Sequence, residues 1–169
     1  MASVEVGRVV EPFETSVTPS LLDRLTDYEP RSGSEAPLTR SQSLRALKIS
    51  LRRDLTALLN TKRREEEVPE EFTEANHSLL TYGLPDFSSY SLKSPTDQSR
   101  LRRAIETAIR RFEPRLEKVS VTLEPLREAD AALHFRVDGF LRLDPAPEPV
   151  SFETHLQAES GHFVVGENR

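Results

Sequence analysis

Apolar side chains repeat at two different periods along this chain, and the change of period divides it. Between Ser94 and Leu116 the sequence is SPTDQSRLRRAIETAIRRFEPRL. Leu101, Ala104, Ile105, Ala108, Ile109 and Phe112 recur there at steps of three and four, which is one stripe of a helix. Its start is written in: Ser94 can cap, Pro95 suits the first helical position, and Asp97 follows three residues after the cap. Its stop is Pro114, which clashes with the carbonyl four residues back and pushes Glu113 toward an extended conformation. The helix is therefore expected to end near Phe112, with Arg110 and Arg111 in a last turn where the dipole favours cations. One acid and one base, Glu113 and Arg115, flank the proline at this break between helix and strand.

An earlier helical stretch, residues 41–61, carries Leu44, Leu47, Leu51, Leu55 and Leu58 as its stripe, with Leu59 beside it. Ser41 or Ser43 is the expected cap, and Asn60-Thr61 the expected end. From Leu116 the period becomes two. Val119, Val121 and Leu123 oppose Ser120, Thr122 and Glu124, and Leu133, Phe135, Val137, Leu141 and Leu143 form the next apolar face. Gly139 and Phe140 disturb that face, as at a bulge or sheet edge. Val150, Phe152, Thr154, Leu156 and Ala158 alternate after the stiff DPAPEP link, and a short strand, His162 to Val165, follows the Ser160-Gly161 turn. Links this short favour antiparallel neighbours. The expectation is a two-layer α+β fold, with two long helices on one face of a three- or four-stranded, mainly antiparallel sheet.

Residues 1–40 read as an extended N-terminal arm punctuated by Pro12, Pro19, Pro30 and Pro37, and residues 41–166 as one domain. Within the arm a short helical segment at 19–26 puts Leu21, Leu22 and Leu25 on one face. At that length it needs a surface, its own domain's or a partner's. Leu79, Leu80, Tyr82, Leu84 and Phe87 are expected to anchor the loop between the helices by packing.

Composition narrows the chemistry. The chain has 169 residues, no cysteine and a net charge of −5. Disulfides, thiolate metal sites and cysteine nucleophiles are excluded, and global attraction to nucleic acid is not expected. No apolar run approaches the roughly 20 residues that span a bilayer, and the N-terminal order is not that of a signal peptide. The basic run Lys62, Arg63 and Arg64 meets the acidic run Glu65, Glu66, Glu67, Glu70, Glu71 and Glu74, an order unlike a phosphate groove and like a solvated face. The arginine-rich helix lacks interleaved aromatics to stack bases. No phosphate loop, dinucleotide fingerprint, serine elbow or zincin helix is present. His134 and His155 would be neighbours if their strands pair, but no acidic ligand accompanies them, so no metal site and no cofactor is expected. A small muramidase-like glycoside hydrolase is the alternative function, with Glu113, Asp86 and Asp138 as imaginable carboxylates. Among Arg110, Arg111 and Arg115, however, Glu113 suits a salt-bridged group rather than a general acid.

These residues carry a resemblance. SLLDRLTD (20–27), SLRRDLTALLNTKRR (50–64), LLTYGLPDFSSYS (79–91), RLRRAIETAIRRFEPRL (100–116) and FRVDGFLRLDPAPEPVSFET (135–154) together resemble the TssE family. These are the small baseplate wedge subunits of bacterial type VI secretion systems, similar in turn to the small wedge protein of contractile phage tail baseplates. The resemblance implies a structural, non-enzymatic subunit in the cytoplasm, in a baseplate docked near the inner membrane. It puts the family's Glu-Pro-Arg motif on Glu113, Pro114 and Arg115. It implies docking there onto the larger wedge subunits TssF and TssG, and the arginine-rich helix end adds Arg110 and Arg111 to the expected partner-binding surface. It also implies strand pairing with the sheath proteins TssB and TssC, with no nucleic acid and no membrane insertion. On this reading the corner charges point outward, and Arg115→Ala is expected to weaken assembly and leave the isolated chain folded.

Overall fold

The computed structural model describes residues 17–26, 38–64, 68–69, 71–91, 93–124, 132–157 and 160–167. Pro12, Pro30, Pro37, Pro125, Ala158 and the glutamates at 65–67 and 70 lie outside the described residues. The chain forms two compact units, Met1–Ser50 and Leu51–Arg169, and the division falls inside a helix.

In the first unit, α1 (Leu21–Leu25) is capped by Ser20, whose Oγ accepts from the Asp23 amide. The Asp23 carboxylate accepts from Ser20 Oγ and from Ser50 Oγ, both at 2.6 Å, and the Val17 amide donates to Ser43 Oγ at 3.0 Å. These polar bonds hold α1. Its leucines face out, with Leu21, Leu22 and Leu25 exposed by 70%, 60% and 74%. Helix α2 (Arg40–Asn60) starts one residue before the expected serines. Its cap is Thr39, in a reciprocal box: the Gln42 amide donates to Thr39 Oγ1, and the Thr39 amide donates to Gln42 Oε1.

The second unit is the sheet and its cover. Leu51, Leu55, Leu58 and Leu59 of α2 are buried, as are Leu101, Ile105, Ala108 and Ile109 of α4 (Pro95–Phe112). Strands β1 (Leu116–Leu123), β2 (Ala132–Leu141), β3 (Glu148–Gln157) and β4 (Phe163–Glu167) form one sheet in the order β1-β2-β3-β4. Every pairing is antiparallel. Leu133, Phe135, Val137, Phe152, Leu156 and Phe163 face the helices and are buried. The expected irregularity lies opposite Gly139. The register shifts between Glu117 and Ser120, with Lys118 at φ 51°.

Between the helices the loop contains a single turn, α3 (Thr73–Asn76), and a 3-10 turn at Leu79–Thr81. Leu84 is buried, but Leu79 is 83% exposed and Leu80 50% exposed, so only part of the expected anchoring occurs. In β3, Thr154 is 2% exposed on the inner face, and its hydroxyl meets no hydrogen-bond partner. Thr154→Val removes that desolvated group without changing shape and should raise stability by about 1 kcal/mol. Urea unfolding checks this, and an unchanged or lowered midpoint contradicts it.

Candidate functional site

The helix–strand corner forms as its residue types require. Ser94 Oγ accepts from the Asp97 amide, Pro95 opens α4, and the Glu113 amide makes the last helical bond, to Ile109 O at 2.9 Å. Pro114 turns the chain, the Leu116 amide donates to Glu113 O at 3.1 Å, and β1 begins. The Arg142 amide donates to Arg115 O at 2.8 Å, tying the start of β1 to the end of β2.

The charges at this corner do not point outward as expected. Glu113 is 5% exposed. Arg115 folds back on it, with Nε donating to Glu113 Oε1 at 2.6 Å and Nη2 to Oε2 at 2.5 Å. Arg115 Nη2 also donates to Asp54 Oδ2 of α2 at 2.6 Å. One guanidinium thus joins the end of α4, the start of β1 and α2. The proline provides the reversal that lets residue 115 reach residue 113, a bidentate geometry suited to arginine. The Glu113 and Asp54 hydrogen bonds hold the Arg115 guanidinium charged well above its ordinary range, against the opposing effect of burial. Tyr82 sits beside this cluster, edge-on to Phe112 with ring centroids 5.2 Å apart. Burial first, and then the Asp54 and Glu113 charges, push its hydroxyl above the usual phenol range. Pro114 and Arg110 are exposed and Arg111 is half-buried.

The six arginines of the region play different parts. Along one row of α4, Glu106 pairs with Arg102 at 3.2 Å and with Arg110 at 2.7 Å. Those arginines continue to the outer edge of β1. Arg110 Nη2 donates to Val119 O at 2.7 Å, and Arg102 makes a longer 3.5 Å contact with Val121 O. At the opposite edge, the Gln157 amide donates to His162 O at 3.0 Å. Antiparallel alternation then turns the backbone groups of Phe163 and Val165 to the free side. Asn60 occupies both groups of Phe163, with Nδ2 donating to its O and Oδ1 accepting from its N, each at 2.8 Å. Those of Val165 stay on the free side. Among the described residues, the sheet therefore has one edge blocked by a bulge and arginines, and one open at Val165.

The imaginable acid residues are each neutralised. Glu113 is held by Arg115, Asp86 by Lys62, and Asp138 lies 3.4 Å from Arg136. The hydrogen bonds from Lys62 and Ser88 hold the Asp86 carboxyl down at about 2. His134 and His155 are register partners with ring centroids 5.7 Å apart. Among the described residues no group of three or more His, Asp and Glu side chains is placed to hold a metal. Among the described residues no helix is long and apolar enough to cross a membrane.

Helices on one face of an antiparallel sheet, with the charged groups of the corner held in ion pairs, define an α+β protein. The family model described as "Baseplate wedge protein gp25" matches residues 45–146, more than half of the chain, and the chain belongs to that family. It is a structural baseplate wedge protein. A chain of the solved structure "The baseplate complex from the type VI secretion system" is similar at 16% identity. The match covers 67% of this chain and 96% of that one, with a TM-score of 0.47. No curated protein matches the chain.

Proposed function

We propose that this chain is the small wedge subunit of a type VI secretion baseplate. It docks on the larger wedge subunits TssF and TssG and pairs with the sheath proteins TssB and TssC. It works in the cytoplasm, in a baseplate held near the inner membrane. Membership of the baseplate wedge family carries this reading. The combination of SLLDRLTD, YGLPDF and FEPRL, with its likeness to the TssE family, supports the type VI assignment.

The corner enters docking through its surface. Pro114, Arg110 and Arg111 are the groups a larger subunit meets. Glu113 and Arg115 fix the shape on which those groups are displayed. For the sheath, the edge at Val165, open among the described residues, is the one that receives a strand, because the β1 edge already has arginines on Val119 O and Val121 O.

Co-purification from the native cytoplasm tests the assignment. Large stoichiometric partners support a wedge subunit, and their absence defeats it. The edge is tested with Val165→Pro, which removes an outward donor, and with Val164→Lys at an exposed side chain. Both should leave the wedge complex intact and stop sheath growth. Full sheath assembly with both variants would overturn pairing at β4.

A further inference from the structure

Helix α4 carries two neighbouring rows of arginines at steps of four, and they differ in one residue. In the row Arg102, Glu106, Arg110, the central glutamate neutralises both arginines. In the row Arg103, Thr107, Arg111, the central residue is threonine and no carboxylate intervenes. This second row borders a cleft of about 220 Å³ between α4 and the segment around Gly83. Arg63 lines the cleft as well, so three guanidiniums border it, and none of its lining side chains among the described residues is acidic. Arg63 and Arg103 are exposed, and Arg111 makes a 3.4 Å contact with Thr81 Oγ1. Phe112 and two alanines of α4 supply an apolar floor.

We infer that this cleft binds the carboxylates of an acidic segment on a neighbouring protein subunit. Three planar forks with apolar ground between them match carboxylate side chains on a short stretch of chain. In a chain of net charge −5, a concave site whose described lining carries three arginines and no acid is locally complementary to such a segment. A nucleic-acid backbone is the poorer fit, since the cleft is small and only Phe112 among its lining residues is aromatic. That the subunit belongs to the wedge rests on the function proposed above.

The test uses the full chain and the double variant Arg63→Glu, Arg103→Glu. Both positions are exposed, so thermal unfolding should coincide with that of the parent chain. The probe is a capped hexaglutamate peptide followed by amide NMR shifts, with hexalysine as control. Hexaglutamate should shift the Arg103–Phe112 amides of the parent chain, bind less as salt is raised, and bind the double variant at least about tenfold more weakly, because attractions have become repulsions. Equal binding to the two chains overturns the inference. So does binding that appears only after Glu65, Glu66 and Glu67 are replaced by glutamine, which would make this chain's own glutamates the occupant. In the co-purification, the double variant should lose the large partner that the parent chain retains. Equal recovery sinks the cleft and leaves the wedge reading standing, whereas no partner for the parent chain sinks the wedge reading itself.

Discussion

Arg115→Ala is expected to destabilise the isolated chain by about 3–5 kcal/mol, the cost of stranding a buried charge when its partner is removed. Glu113 is 5% exposed, and both of its oxygens are bonded by Arg115. Asp54 loses a partner too, but it is about 30% exposed and keeps Arg53, so it contributes less. Against a typical total stability of about 5–15 kcal/mol, this is a large fraction. Urea unfolding should show it directly. Adding Glu113→Gln should recover part of the loss, because a neutral amide is easier to leave buried than a carboxylate. Arg115→Lys should fall between the two, since an ammonium cannot reproduce the fork. If Arg115→Ala unfolds at the parent midpoint, the corner is not a structural clamp. The proposed effect on wedge assembly would then have to come from an outward Arg115, as the sequence reading has it. If stability falls as expected, a loss of docking in this variant reports the corner's shape, and Arg110→Ala becomes the cleaner probe of its surface.

Much of this was legible before the fold. The α4 start and stop depend on local chemistry, and the Ser94 cap, Pro95 and the Pro114 stop all act within a few residues. Strand alternation likewise foretells which side chains meet the helices. What escaped depends on distance or on context. The Asp54 contact joins residues 61 apart in sequence, and no spacing rule announces it. Reading Glu113 and Arg115 as outward charges follows from their place at a helix end, where exposure is usual. The fold reverses it because α2 brings a second carboxylate to the same guanidinium. Leu79 and Leu80 are apolar by type yet exposed, since a loop has no period to say which side is inside. The Thr39 cap lies just outside the expected start because its Gln42 partner is polar and off the apolar stripe. The two arginine rows of α4 can be separated on a helical wheel. That one of them caps a strand edge and the other borders a cleft requires the tertiary structure.

Gly83→Ala should cost about 3 kcal/mol, and its comparison with Gly161→Ala shows why. Both glycines have positive φ, 98° and 66°, so alanine at either pays a conformational cost of roughly 1–2 kcal/mol. At Gly161 a new Cβ meets nothing within 4 Å, and that cost is all. At Gly83 it would fall 2.2 Å from Thr61 O, a backbone atom that cannot swing aside. Thr61 O accepts from the Leu84 amide at 2.9 Å, and Leu84 O accepts from the Arg63 amide at 2.7 Å. The shift that makes room for the methyl therefore pulls apart the bridge between residues 61–63 and 83–84, worth roughly another 0.5–1.5 kcal/mol per bond. It also draws on Leu84, which is 1% exposed. Urea unfolding of the two variants measures the difference directly. Equal losses would mean that backbone conformation alone selects glycine at position 83. A larger loss at Gly83, together with weaker hexaglutamate binding, ties this bridge to the cleft, because Gly83 and Arg63 both line it and move with the same hydrogen bonds.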